Sequence, residues 1–418
     1  MSRTRFTLGV LTAALCVACA DHDLTNPDEV SLKKSGDGPV LDADMVELGR
    51  LLFFDASLSV NGNQSCASCH DPEWGFTGPD SDLNAHGAVY EGSVLDRFGN
   101  RKPPSSAYAT LSPVLHYDGD LFVGGNFWDG RATGEDLGNP AADQARGPFL
   151  NPVEQGLPDM AEVITRVCNS DYAELFKAVW KDELCEEQYV EEAYDAVALS
   201  IAAYEASPES NAFTSKFDAY VAGIAQLTKL EKKGLALFRG KGKCKKCHLL
   251  GKGKMEPALF TDFTFDNLGI PANPENPWYG MTEFNPDGLG WIDYGLGGFL
   301  ETRPDYVDLA PDFMGQHKVP TLRNVDRRPS PTDVKAFGHN GYFKSLEQIV
   351  HFYNTRDVKP TCPSRYTAAE AMAADCWPAP EVAMNVNTAE LGNLRLSPGD
   401  EAALVAFMRT LSDGYMTP

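Results

Sequence analysis

Two short motifs constrain this chain more than any other feature of its sequence. Residues 66–70 are Cys-Ala-Ser-Cys-His, and residues 244–248 are Cys-Lys-Lys-Cys-His. Two thiols at this spacing can bond to the two vinyl groups of one haem, and the adjacent imidazole then reaches the iron. A zinc or dithiol site would need only the Cys-x-x-Cys part. The motifs predict two covalently bound c-type haems, with His70 and His248 as proximal ligands. The predicted attachment residues are Cys66, Cys69, Cys244 and Cys247.

The first twenty residues have the pattern of an export signal peptide. Arg3 and Arg5 precede an apolar run, residues 6–17, which is too short to span a bilayer. Two forms of processing remain open, namely lipidation of Cys19 or cleavage after Ala20. An unpaired cysteine at this position favours lipidation. We expect the protein in the periplasm or at the cell surface, with a lipid anchor to the outer membrane in the first case.

The rest of the chain divides into a short tether and two halves of similar plan. Residues 21–40 are rich in Asp, Lys, Gly and Pro, which predicts a flexible tether. A short amphipathic segment with the pattern Gly-x-x-x-Phe precedes each haem motif, at Gly49 and at Gly234. This repeat predicts an N-terminal haem domain of residues 41–210 and a C-terminal haem domain of residues 211–418.

Helical periodicity is the main secondary-structure signal. Apolar residues recur at spacings of three and four in residues 160–177 and 190–205. Capping boxes at Asp44 and Thr228 start the two helices that precede the haem motifs, and Ser397 caps a last helix. Long stretches rich in Gly, Pro, Asn and Asp connect these helices, and haem faces would organise them. We therefore expect a mainly α fold with two cytochrome-c-like haem domains and long loops.

The charge distribution excludes one class of partner. The chain has 59 acidic and 36 basic residues and a formal net charge of −23, so we exclude nucleic acid as a partner. Ten Lys or Arg nevertheless lie between Lys229 and Lys254, against one acid, Glu231, and they surround the second haem motif. This basic cluster is either a docking surface for an acidic protein or a solvated face without a partner.

The remaining cysteines predict two disulfides. Of ten cysteines, two lie in the export signal and four belong to the haem motifs. The other four form two pairs that are close in sequence, Cys168 with Cys185 and Cys362 with Cys376. In an oxidising compartment each pair is expected to form a local disulfide. Buried free thiols are the alternative.

Four further segments carry longer motifs. They are Phe-Trp-Asp-Gly-Arg at 127–131, Asn-Pro-Val-Glu at 151–154, Val-Pro-Thr-Leu-Arg-Asn-Val at 319–325 and Phe-Gly-His-Asn-Gly at 337–341. Together with the haem motifs, they resemble the bacterial di-haem cytochrome c peroxidase family, which includes MauG-type enzymes. The resemblance covers nearly all of the chain after the tether. It implies an enzyme that holds two haems c and acts on hydrogen peroxide.

The resemblance assigns catalytic roles in the first half. Glu154 matches the family's acid/base carboxylate above the N-terminal haem, and Gln144 and Pro148 match residues of the same distal pocket. Trp128 matches the tryptophan that relays electrons between the haems. Taken alone, Glu154 would be interpreted as a solvated surface acid and Trp128 as a core anchor.

His86 is a candidate distal ligand of the N-terminal haem. It lies sixteen residues beyond His70, the spacing at which classical members place a displaceable histidine. The resemblance then implies that, in the oxidised enzyme, His86 blocks the N-terminal haem until the C-terminal haem is reduced. An exposed loop histidine is the alternative interpretation.

The C-terminal haem differs from that of classical peroxidases in its expected sixth ligand. Classical members have a methionine in the helix after the His-Asn-Gly turn, where this chain has Tyr353. MauG-type enzymes also use tyrosine there. His351 and Met314 are the alternatives, and a helix would point His351 elsewhere.

Two further departures weigh against the family's interdomain calcium ion. Lys102 follows Arg101 where the family has an asparagine ligand. Residues 326–336 also differ from the stretch that supplies the carbonyl ligands.

Three functions are compatible with the sequence. The leading hypothesis is a peroxidase that reduces hydrogen peroxide to water. Its electrons would come from a small periplasmic donor, a cytochrome c or a copper protein, and enter at the C-terminal haem. The alternatives are MauG-like oxidation of a partner protein's side chains through high-valent di-haem iron, and a non-catalytic electron-transfer cytochrome. The resemblance is also compatible with a homodimer.

Overall fold

The structure, a computed structural model, describes residues 34–35, 38–39, 42–251, 253 and 256–416. The predicted export signal with Cys19, most of the predicted tether, and Lys252 and Lys254 of the basic cluster lie outside these residues. Residues Met1–Val40 and Leu41–Pro418 form two units. In the first unit, strand β1 (Lys34–Ser35) pairs with the antiparallel strand β2 (Gly38–Pro39).

The unit from Leu41 to Pro418 is mainly helical, which confirms the predicted fold class. Its helices up to the middle of the chain are α1 (Ala43–Phe54), α2 (Ser81–Ala85), α3 (Pro140–Ala145), α4 (Gly147–Leu150), α5 (Met160–Cys168), α6 (Ala173–Trp180) and α7 (Val190–Glu205). Those that follow are α8 (Lys216–Val221), α9 (Lys229–Arg239), α10 (Gly295–Leu300), α11 (Leu346–Thr355), α12 (Ala368–Ala373) and α13 (Pro398–Met408). None of the described helices is long and apolar enough to cross a membrane.

The strands of this unit are short. Strand β3 (His116–Tyr117) pairs antiparallel with β4 (Phe122–Val123), and β5 (Phe265–Asp266) pairs antiparallel with β6 (His317–Lys318). The second pairing joins segments that are about fifty residues apart in sequence, and it brings His317 and Lys318 to the wall of the functional site described below.

The two helices that precede the haem motifs pack in the same way. Helix α1 crosses α7, and α9 crosses α13. A Cβ added at Gly49 would lie 1.8 Å from the carbonyl oxygen of Ser200, and one at Gly234 would lie 1.9 Å from that of Ala403. Because only glycine permits such close approach, the repeated Gly-x-x-x-Phe pattern has a packing cause.

The helix starts are only partly as predicted. Thr228 and Glu231 form the predicted capping box of α9, and Ser397 caps α13. The cap of α1 was predicted wrongly at Asp44, since Asp42 accepts the N–H groups of Asp44 and Met45. Both aspartates can cap a helix, so the sequence alone does not select between positions two residues apart.

Two large clusters form most of the apolar core. Among their fully buried aromatic residues are Phe53, Phe149, Phe176 and Tyr204 in the first cluster, and Phe238, Phe260, Phe343, Phe352 and Phe407 in the second. The division into two haem domains near residue 210 stays a prediction. The disulfides Cys168–Cys185 and Cys362–Cys376 are both formed, which confirms the predicted pairing.

Candidate functional site

The first Cys-x-x-Cys-His motif lies on the wall of a large cavity. A single 3-10 turn, Cys66–Ser68, turns both thiols toward this cavity, and the backbone N–H of His70 donates to the Cys66 carbonyl at 2.9 Å. The space between its walls, including the solvent at its open mouth, is about 1620 Å³. We call it the His70 cavity.

The second motif has the same local geometry in a second cavity. The turn Cys244–Lys246 is again 3-10, and the N–H of His248 donates to the Cys244 carbonyl at 2.9 Å. Cys244, Cys247 and His248 line a cavity of about 1790 Å³, the His248 cavity.

Both imidazoles are held in the tautomer that binds iron. The Nδ1 atom of His70 lies 3.1 Å from the Phe76 carbonyl oxygen, and that of His248 lies 2.8 Å from the Phe260 carbonyl oxygen. A proton on Nδ1 leaves Nε2 free as the ligand atom. Burial lowers the pKa of His70 to about 4, so the ring is neutral at physiological pH. The residues of both cavities therefore fit a covalently attached haem.

The His70 cavity also contains the predicted acid/base residue. Glu154 and Gln144 line it together with His70, as does Pro148. Burial raises the pKa of the Glu154 carboxyl group, and the positive charge of Arg131 opposes this shift. A carboxyl group with a raised pKa can gain and lose a proton more readily near neutral pH.

Trp128 lies on the wall that the two cavities share. It is 8% exposed, and its indole N–H donates to the backbone carbonyl of Lys102 at 2.7 Å. Lys102 and Lys318 line both cavities as well. The structure therefore places Trp128 between the two candidate haem sites.

Tyr353 lines the His248 cavity, on helix α11. Its hydroxyl makes no hydrogen bond to any described residue, and burial raises its pKa. The alternative His351 instead directs Nδ1 to the carboxylate of Glu401 at 3.1 Å. Neither His351 nor Met314 lines this cavity. Of the three candidates, only Tyr353 is brought together with His248.

The structure does not bring His86 together with His70. The side chain of His86 is 74% exposed, and its Nδ1 lies 3.3 Å from the carboxylate of Glu275. It lines neither cavity. In this conformation His86 is an exposed loop histidine, and ligation by His86 would require the loop to move.

A buried ionic network on the wall of the His248 cavity was not predicted from the sequence. Arg101 donates two hydrogen bonds to Asp293, at 2.6 and 2.7 Å, and a third to Asp129 at 2.6 Å. The rings of His317 and His339 stack at 3.5 Å. The Nε2 atom of His317 lies 3.3 Å from a carboxylate oxygen of Asp293, and that of His339 lies 3.8 Å from one of Glu381. Asp293, His317 and His339 have the ligand types of a metal site, but Arg101 already engages both oxygens of Asp293.

A group of three buried lysines near the cavities was also not predicted from the sequence. Burial lowers the pKa values of Lys102 and Lys318 to about 7. Lys335 is 4% exposed and makes hydrogen bonds only to backbone carbonyls. Lys102 and Lys335 occupy the two places where the sequence departs from the calcium pattern, and that departure was the only sequence signal for them.

Comparisons with known proteins agree with this geometry. The model of the family described as "Di-haem cytochrome c peroxidase" matches residues 43–226. The methylamine utilization protein MauG of Paracoccus denitrificans is 37% identical over 383 residues, which cover 90% of each chain. Cytochrome c551 peroxidase of Nitrosomonas europaea is 32% identical over 313 residues, or 74% of this chain and 72% of that protein.

A solved structure has the same fold. The di-haem peroxidase BthA of Burkholderia thailandensis superimposes with a TM-score of 0.74 and 30% sequence identity, over 91% of this chain and 89% of that one. Sequence and fold thus agree with the two cavities built around Cys-x-x-Cys-His motifs. The chain belongs to the di-haem cytochrome c peroxidase family that includes MauG, and it is accordingly an oxidoreductase that binds two c-type haems.

Proposed function

We propose that this enzyme reduces hydrogen peroxide in the His70 cavity with electrons that an external protein delivers through the His248 haem. The supporting observation is the difference between the two cavities. Glu154 and Gln144 line the His70 cavity, whereas Tyr353 lines the His248 cavity. A carboxylate beside an open haem face suits peroxide chemistry, and a haem with both faces filled suits electron transfer.

Glu154 moves the proton that peroxide cleavage requires. A haem held by His70 would supply the iron that binds peroxide and the two-electron chemistry. Glu154 accepts a proton from the near oxygen of H₂O₂ and returns it to the far oxygen, which leaves as water. Two electrons and two further protons then complete the reduction to a second water. The Gln144 side chain supplies an amide that orients peroxide by hydrogen bonding.

Trp128 connects the two haem sites. Its ring lies on the shared wall, and the hydrogen bond to the Lys102 carbonyl fixes its orientation. A fixed aromatic ring between two redox centres provides a relay for electrons from the His248 side to the His70 side.

Tyr353 is the proposed sixth ligand of the C-terminal haem. Its hydroxyl has no other partner among the described residues and stands in the same cavity as His248. Burial holds the free phenol in its neutral form, and binding to iron would replace the phenol proton. An anionic oxygen ligand favours the oxidised iron.

The external donor is proposed to be a small acidic redox protein, either a cytochrome c or a copper protein. Lys229, Lys232, Arg239 and Lys245 are exposed near the second motif and form no ion pair with the described residues. Lys246, by contrast, pairs with Glu390 at 2.8 Å. The unpaired cations give a positive face on an acidic chain, and such a face steers an acidic partner toward the His248 haem.

We place this reaction in the periplasm, with lipidation at Cys19 as the proposed anchor. The apolar run that follows Arg3 and Arg5 predicts export. The disulfides Cys168–Cys185 and Cys362–Cys376 fit an oxidising compartment.

Oxidation of side chains on a partner protein is the second candidate function. Tyr353 in place of a methionine and the 37% identity to MauG both favour it. Slow peroxide turnover with every acidic donor, together with a mass change in a bound partner protein after peroxide addition, would support this function over the first.

The proposed function is tested by peroxide turnover of the holoenzyme with a reduced acidic cytochrome c. Glu154→Gln should lower kcat/KM for peroxide by about 10²–10⁴-fold, with both haems retained. Glu192→Gln is the matched control, because Glu192 is exposed and lines neither cavity. Unchanged turnover in Glu154→Gln would overturn the proposal.

A further inference from the structure

A single buried lysine is surrounded by three backbone carbonyl groups. The Nζ atom of Lys335 donates to the carbonyl oxygens of Trp74 at 2.7 Å, Asn324 at 2.8 Å and Arg327 at 3.0 Å. The residue is 4% exposed, and it forms no ion pair with the described residues. The three acceptors match the three N–H bonds of an ammonium group, whereas a neutral amine would leave one carbonyl unpaired.

These carbonyls belong to segments that are far apart in sequence. Trp74 ends the turn Pro72–Trp74, in the loop that directly follows His70. Two residues later, the carbonyl of Phe76 accepts the Nδ1 proton of His70. Asn324 and Arg327 follow the segment 319–323 on the wall of the His248 cavity. Lys335 thus ties the loop that orients His70 to the other half of the chain.

Lys102 holds the far end of the same loop. Its Nζ donates to the hydroxyl oxygen of Thr77 at 2.8 Å and to the Pro103 carbonyl at 2.9 Å. The Thr77 hydroxyl donates in turn to the Pro103 carbonyl at 2.6 Å. The loop 71–77 is therefore held by one buried lysine at its middle residue, Trp74, and by another at its last residue, Thr77. The backbone carbonyl of Lys102 also accepts the Trp128 indole N–H.

Burying a lysine costs free energy, and other interactions must compensate this cost. Burial, with a smaller contribution from the charge of Lys102, lowers the pKa of Lys335, so its ammonium form is disfavoured unless every N–H bond is matched. A lysine that served only packing could be replaced by an apolar residue of similar length. The full set of carbonyl acceptors at Lys335 instead indicates a clamp built from polar groups.

We propose that Lys335 is a positioning residue whose ammonium group clamps loop 71–77 and so fixes the orientation of the His70 imidazole. The proposal rests on the function proposed above, in which the His70 haem is the one that reacts with peroxide. A metal-binding histidine depends on the partner of its second ring nitrogen for orientation. Here that partner, the Phe76 carbonyl, belongs to the segment between the two residues that the lysines hold, Trp74 and Thr77.

The test compares Lys335→Met with the wild-type holoenzyme in the absence of peroxide. Methionine keeps the length of the side chain and removes all three N–H donors. The readouts are the resonance Raman band of the bond between iron and His70, and the midpoint potentials of both haems. The His70 band should shift. The potentials of both haems should change as well, because Lys335 also lines the His248 cavity and its charge is lost, so the band is the readout that is specific to loop 71–77. Peroxide kcat/KM should fall by about 10- to 100-fold.

Lys359→Met is the matched control. Lys359 is also largely buried, but it pairs with Asp375 at 2.7 Å and packs on Trp377 in the C-terminal half. Its loss should leave the His70 band unchanged. Thr77→Val serves if Lys335→Met does not fold, because it removes the side-chain acceptor of Lys102 at the other end of the loop, and it should shift the same band.

The clamp is overturned if the His70 band stays at its wild-type position in folded Lys335→Met or, where that variant does not fold, in Thr77→Val. A His70 band that shifts equally in Lys359→Met would also overturn it, since it would indicate general loosening of the fold. These measurements need no peroxide, so their outcome is distinct from a failure of the Glu154 experiment.

Discussion

The indole N–H of Trp128 donates to the backbone carbonyl of Lys102 over 2.7 Å, on the wall between the two haem cavities. This single contact fixes the one aromatic ring that the sequence motifs place between the haems. The side chain of Lys102 holds the loop after His70, while its backbone holds the relay. The geometry of the reactive site and that of the electron path are therefore set by the same residue.

Trp128→Phe should separate the electron path, which depends on the Lys102 backbone carbonyl, from the geometry of the reactive site, which depends on the Lys102 side chain. The variant keeps an aromatic ring and loses the indole N–H, which leaves the buried Lys102 carbonyl unpaired and lowers the free energy of unfolding by about 1–3 kcal/mol. Stopped-flow absorbance should show slower electron transfer from the reduced His248 haem to the His70 haem. Trp377→Phe loses a comparable bond, to Thr355 at 3.0 Å, far from the shared wall. If both variants transfer electrons at the wild-type rate, Trp128 is not the relay.

Tyr353→Met should raise the midpoint potential of the C-terminal haem. A thioether ligand favours reduced iron more than a phenolate does, so this haem should accept electrons from weaker donors. Spectroelectrochemical titration of the holoenzyme measures the change. His351→Ala should leave the potential unchanged, because His351 faces Glu401 and not the cavity. If the potential shifted in His351→Ala and not in Tyr353→Met, the assignment of Tyr353 as the ligand would be wrong.

Glu205 should make the protein less stable as pH rises from about 4.5 to 8. Burial raises the pKa of Glu205 to about 8 from an ordinary value of 4.5, and one of its oxygens has no hydrogen-bond partner among the described residues. Between these values the folded chain keeps a proton that the unfolded chain releases. The free energy of unfolding should therefore fall by about 1.4 kcal/mol per pH unit.

Urea unfolding of the holoprotein at pH 5 and pH 8 measures this dependence. Glu205→Gln should reduce the slope, and Glu192→Gln, at an exposed site, should retain it. A slope should remain in Glu205→Gln, because burial also raises the pKa of Glu381 to about 8. A slope that is the same in the wild type and in Glu205→Gln would show that the carboxyl group is not held in its neutral form.

Removal of calcium should not affect this enzyme. The amino groups of Lys102 and Lys335 stand at the two places where the chain departs from the calcium pattern, and they donate to two and three oxygen acceptors respectively. Peroxide turnover and the thermal midpoint should be equal with EGTA and with added Ca²⁺. Activity that is lost in EGTA and restored by Ca²⁺ would contradict this assignment.

The sequence predicts the parts of this molecule that local chemistry specifies. The Cys-x-x-Cys-His motifs, the close helix crossing at Gly49 and Gly234, and both disulfides depend on residue types at short spacing. Glu154 and Tyr353 were selected only through their flanking family motifs, and the fold then brings each into a haem cavity.

Other features depend on contacts that leave no mark in sequence. The Lys335 clamp uses backbone carbonyls up to 261 residues away, and every residue type carries such a carbonyl. His86 has the expected spacing from His70, yet the fold leaves its side chain exposed beside Glu275. Spacing fixes distance along the chain and does not fix which way a loop turns.

The central claim is that the two haems differ, with an open His70 haem and a His248 haem filled on both faces. The electron paramagnetic resonance spectrum of the oxidised holoprotein, without reductant, tests it directly. We predict one high-spin and one low-spin signal, with an unchanged spectrum in His86→Ala because His86 lies outside the cavity. Two low-spin signals, one of which becomes high-spin in His86→Ala, would contradict the account.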